Sequence, residues 1–134
     1  MSRSVPWTIA AVAAAAALGV LVARGSGGHR VVHPEARPGV TAERVLPPSL
    51  VLNPSNAAEA YAAARQAPQL LDALYCHCDC ARNFGHRSLL TCFESDHGSQ
   101  CDICMGEALL ATRLAERGNS LEQIRHAIDE RFGS

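Results

Sequence analysis

Apolar residues fall into three regimes along the 134-residue chain. Residues 5–23 form an uncharged run of 19, which as a helix is roughly 28 Å long, about the thickness of one hydrocarbon core. Arg3 precedes the run and Arg24 closes it, which suits a membrane anchor or signal segment over residues 1–24. From Gly25 to Pro54, Gly25, Gly27, Gly28, Pro34, Pro38, Gly39, Pro47, Pro48 and Pro54 interrupt any periodicity, so residues 25–54 read as an extended tether. Beyond it the apolar positions recur at helical spacing.

Ser55 or Asn56 caps an alanine-rich helix running to about Gln66. Pro68 starts a second helix, with Leu70, Leu71 and Leu74 facing inward. Ser99 as N-cap, with Asp102 three residues on, predicts a third, whose stripe is Met105, Ala108, Leu109 and Ala111 and whose end lies near Gly118. Ser120 with Gln123 caps a fourth, carrying Leu121, Ile124 and Ile128. Nothing reads as a strand, so the fold class is all-α: a small helical domain over 55–134 with an irregular cysteine-rich loop between helices. About 80 residues supply a core worth only a few kcal/mol, a size at which metals or disulfides often add stability.

The chemistry is concentrated in that loop. Cys76, Cys78 and Cys80 alternate with His77 and Asp79, and Cys92, Cys101 and Cys104 follow, so all six cysteines lie between residues 76 and 104. If extended, the triplet shares one face with roughly 7 Å between neighbours, at about 3.3 Å rise per residue. Disulfides within so short a segment are strained. A loop curling around an ion brings the sulfurs together instead.

Cys101 and Cys104 fall in the first turn of the third helix, where free amides and the helix dipole favour thiolates. A CxxC pair suits Zn or Cu(I), and equally a thioredoxin-like redox pair, although no βαβ pattern surrounds it. Soft thiolates, with Met105 as core or thioether, fit Cu(I) about as well as Zn. Three readings therefore stand: metal coordination in the lead, then a disulfide framework with its 15 pairings, and a thiol-disulfide oxidoreductase using Cys101 and Cys104. The metal candidates are Cys76, Cys78, Cys80, Cys92, Cys101 and Cys104, with His77 and His86 as secondary ligands. His77 has cysteines on both sides, but alternation aims it at the other face. His97 carries less weight, and His29, His33 and His126 read as solvated.

The run Tyr75-Cys76-His77-Cys78-Asp79-Cys80, then Gly85-His86-Arg87-Ser88, Cys92-Phe93 and Cys101-Asp102-Ile103-Cys104, resembles the bacterial proteins named for a PCYCGC or CYCXC motif. The similarity spans about residues 68–133 and includes Ser120-Leu121-Glu122-Gln123-Ile124-Arg125. It implies a membrane-attached, cysteine-rich domain, often an exported lipoprotein. Tyr75, His77 and Asp79 stand where the name motif has Pro, Tyr and Gly, and no lipobox cysteine follows the apolar run.

Charge narrows the partners. All 12 basic residues are Arg, and after Arg24 ten arginines against thirteen acidic residues leave −3, with the basic residues scattered singly. That pattern gives no nucleic-acid footprint. No GxSxG, P-loop, HExxH or dinucleotide fingerprint occurs, so hydrolase and nucleotide-dependent activities lack support and catalysis is not expected. Arginines behind the apolar run favour a cytoplasmic domain by the positive-inside count. The N-terminal position of the run and the resembling exported proteins favour the opposite side. The expectation is a single-pass anchor in a bacterial cell membrane and an extracytoplasmic domain that binds Cu(I) or Zn, with an unidentified protein partner in any metal transfer.

Overall fold

The computed structural model describes residues 31–52 and 54–133. Among them the regular structure is entirely helical: α1 (Pro54–Gln66), α2 (Pro68–Asp72), α3 (Cys80–Phe84), α4 (Asp102–Glu116) and α5 (Leu121–Phe132), with 3₁₀ turns at Ala42–Arg44, Pro48–Leu50, Leu89–Phe93 and Asp96–Gln100. The apolar run 5–23 lies outside the described residues. No described helix is long and apolar enough to cross a membrane.

The helices follow their apolar periodicity. Ala57, Ala60, Tyr61 and Ala64 recur at helical spacing on α1 and are all buried. Small side chains let helices approach closely, and α1 packs most extensively against α4, whose buried face carries Cys104, Met105, Ala108, Ala111 and Thr112. Helix α5 lies against α4 and buries Ile124 and Ile128. Its start is the expected capping box: Ser120 Oγ accepts from Gln123 N, and Gln123 Oε1 accepts from Ser120 N. Tyr61 and Phe93 meet edge to face at 4.9 Å in the core, a geometry worth about 0.5–1.5 kcal/mol beyond area burial.

The stretch expected as a tether differs from that expectation. From Val31 onward the chain forms one compact unit, and Val40, Val45 and Val51 join the core at 7% exposure or less. Leu46 N donates to Phe93 O at 2.9 Å, and Arg65 Nη1 donates to the carbonyls of Ala42 and Val45. Asp72, fully buried at the end of α2, clamps this strap. It accepts from Arg37 N, Nε and Nη2 at 2.7, 3.0 and 2.8 Å, and from Ser88 Oγ at 2.8 Å, with Arg87 Nη1 also at 2.8 Å. The prolines and glycines of the strap break helical periodicity without making it solvent-borne, because single valines and side-chain bonds to the helices hold it down.

Candidate metal centre

Four elements deliver thiols to one point. Cys76 and Cys78 come from the turn after α2, Cys80 opens α3, Cys92 sits in the 3₁₀ turn Leu89–Phe93, and Cys104 lies in the first turn of α4. All five Sγ atoms lie within 4.8 Å of one another. The separations are 3.2 Å for Cys76–Cys78, 3.4 Å for Cys76–Cys104, 3.3 Å for Cys78–Cys104 and 2.7 Å for Cys78–Cys80. Each exceeds a disulfide bond of about 2.05 Å, and all six cysteines are free thiols.

The triplet does not run extended. Asp79 adopts φ +60°, the one non-glycine left-handed residue among those described, and this reversal folds Cys80 back onto Cys78. Asp tolerates the left-handed region better than most residues. Asp79 O then accepts from Arg82 N and Asn83 N at 3.0 Å, which starts α3.

Cys101 is not part of the cluster. It occupies the N-cap of α4 in extended backbone (φ −134°, ψ 109°), half-buried. The expected cap, Ser99, instead ends the preceding 3₁₀ turn by donating from Oγ to Asp96 O at 2.8 Å. The helix therefore begins two residues later than predicted, and only Cys104 of the CxxC pair enters the thiol group.

His77 is likewise taken away from the sulfurs. Its backbone N and ring Nδ1 both donate to Glu107 Oε1, at 2.9 and 2.6 Å. Its Nε2 lies 3.0 Å from Asp129 Oδ1. Burial disfavours the charged ring, but the bonds and charges of Glu107 and Asp129 outweigh it and raise the pKa above its ordinary value. His33, expected to be solvated, accepts from Tyr75 N at Nδ1 (3.0 Å), and its Nε2 meets Asp129 Oδ1 at 3.0 Å. These four side chains tie the triplet loop to α4, α5 and the strap. The sequence signal for the anchor is Glu107 itself, fully buried on the apolar face of α4 between Cys104 and Ala108.

His86 does reach the site, and so does His97, which the sequence weighted less. His86 Nδ1 lies 3.2 Å from Cys92 Sγ, and His97 Nε2 lies 3.1 Å from Cys80 Sγ. These four ligand atoms form a second group, again within 4.8 Å of one another.

Cys76, Cys80, Cys92 and Cys104 are at most 3% exposed, and unpaired thiolates so deeply buried are costly. Hydrogen bonding to Cys104, then Cys78, raises the Cys76 pKa, whereas bonds from Cys104 and Cys76 lower that of Cys78. Burial, with the neighbouring Cys78, pushes the Cys80 thiol up to about 11. A metal ion bound here would displace thiol protons and neutralise the sulfurs, so that its binding would release protons.

Comparison with curated proteins and with solved structures finds no match. A family model matches residues 35–134, which takes in most of the strap, the cysteine triplet and every helix described. The chain thus belongs to the family described as proteins of unknown function with a PCYCGC motif.

Proposed function

We propose that this domain binds a soft metal ion through the thiolates of Cys76, Cys78, Cys80, Cys92 and Cys104. One observation carries the reading: five sulfurs from four separate elements, four of them buried and that of Cys78 half-buried, lie within 4.8 Å of one another. Thiolate-rich sets select Cu(I) and Zn over hard cations. Cu(I) storage, delivery or detoxification is the leading role, and structural Zn supporting an interaction surface is the variant. With residues 5–23 as a membrane anchor, the domain works at the outer face of a bacterial membrane, where a bound metal protects thiols that otherwise oxidise.

A thiol-disulfide oxidoreductase is disfavoured by the same geometry. Cys104 is fully buried and 3.3–3.4 Å from Cys78 and Cys76, whereas an attacking thiol needs access.

The test is anaerobic titration of reduced protein with Cu(I) and, separately, Zn, followed by native mass spectrometry. Discrete metal-bound species are expected for the unaltered protein and for Cys101→Ser. Cys104→Ser should lose at least tenfold in affinity. Failure to bind either metal, or equal losses in the two variants, refutes the proposal.

A further inference from the structure

The two ligand groups share two members. Cys80 and Cys92 belong both to the five-thiol set and to the group completed by His86 and His97. Five thiolates and two imidazoles make seven ligands, and two tetrahedra joined at one corner need seven. Resting on the zinc variant of the metal-binding reading above, we infer that the centre holds two divalent, zinc-like ions joined by a bridging thiolate. The inner ion sits on Cys76, Cys78 and Cys104. The outer ion sits on His86 and His97. Cys80 and Cys92 complete both coordination spheres, one of them as the bridge.

The distances agree with this division. A zinc tetrahedron has S–S edges of about 3.8 Å and S–N edges of about 3.5 Å, from Zn–S near 2.3 Å and Zn–N near 2.0 Å. The inner thiols lie 3.2–3.4 Å apart and the two S–N pairs 3.1 and 3.2 Å apart, so outward movements of a few tenths of an ångström suffice for them, while Cys78 and Cys80, at 2.7 Å, part by about 1 Å if they share an ion. Each imidazole nitrogen faces a different sulfur. The rings stand edge to face at 4.7 Å, and Phe84 packs on His97 at 4.7 Å. A ligand count drawn from one site cannot use these histidines, because the inner ion is already filled by sulfur.

Exposure separates the two positions. Cys104 is fully buried and Cys76 nearly so, whereas His86 and His97 are half-buried beside Phe84, which is 64% exposed. The outer ion is therefore the exchangeable one, and the inner ion is retained. Loading replaces S–H protons with metal–sulfur bonds, releases those protons to solvent and changes no oxidation state.

Full-length reduced protein titrated with Zn and read by native mass spectrometry should saturate at two ions, and His86→Ala/His97→Ala at one, with circular dichroism confirming that the variant is folded. A chelator should strip one ion from the unaltered protein at least tenfold faster than the other. As a measurement independent of the variant, Co(II) should give a high-spin paramagnetic resonance signal that grows over the first equivalent and declines over the second, since a thiolate bridge couples the two spins. Saturation at one zinc overturns the two-ion centre while leaving soft-metal binding intact, and binding of neither Zn nor Cu(I) overturns both. Two ions retained by the double-histidine variant, or cobalt signals that simply add, also overturn it.

Discussion

Replacing Asp72 with asparagine nearly preserves the shape of the side chain and removes the charge that clamps the strap to the helical body. Asp72 is fully buried and accepts from Arg37 three times and from Ser88, with Arg87 at ion-pair distance. Burial alone would raise its pKa, but the hydrogen bonds from Arg37 overcome this and hold the carboxyl at about 2, against an ordinary 3.8. At 1.36 kcal/mol per pKa unit, that depression contributes about 2 kcal/mol to folding. Breaking a buried pair while its partners remain costs about 3 kcal/mol or more, so Asp72→Asn should lower the melting temperature by roughly 12 °C or more for a domain of this size. Because folding lowers this pKa, the contribution is present above the unfolded value and fades as pH falls toward about 2. Thermal unfolding of reduced, metal-free protein between pH 6 and 2 should therefore show the gap between Asp72→Asn and the unaltered protein narrowing with acidity. A loss below about 1 kcal/mol near neutral pH, or a gap that stays constant down to pH 2, would refute the clamp.

Two further substitutions probe the frame around the sulfurs. A Cβ at Gly98 would lie 2.9 Å from Cys92 O and 3.3 Å from the Phe93 ring, so Gly98→Ala should cost about 1–3 kcal/mol and, by shifting Cys92 and His97, weaken metal binding in the same titration; unchanged stability and affinity would show that the contact relaxes freely. Ser120→Ala removes one half of the capping box and should cost about 1 kcal/mol without altering metal stoichiometry, which separates helix stability from the site.

The helices were legible because their signals are local. The capping box at Ser120 and the buried spacings of α1 and α5 need only a few neighbouring residues to declare themselves. The strap was not, since Val40, Val45 and Val51 have no common period and are buried by residues distant in sequence, as Arg37 is paired with Asp72 across 35 positions. The cysteine set was mostly legible from its density, and the structure gathers five of the six. Which cysteine would be left out was not, because the start of α4 depended on Ser99 bonding backward to Asp96 rather than forward into the helix. His77 was misleading for a related reason: its neighbours in sequence are ligand candidates, but its partners in space are Glu107 and Asp129.

The left-handed turn at Asp79 also gives meaning to the family's motif. In PCYCGC the position between the second and third cysteines is glycine, and here Asp79 takes its place with φ +60°. In this chain that position supplies a backbone angle rather than a reacting group, so the motif here is as much a folding instruction as a list of thiols. Two adjacent peptide units reverse direction there, and sulfurs that an extended chain would hold roughly 7 Å apart come to 2.7 Å. Asp79→Gly or Asp79→Asn should keep this turn and the thiol group, whereas a β-branched residue there should spread the sulfurs even with every cysteine in place.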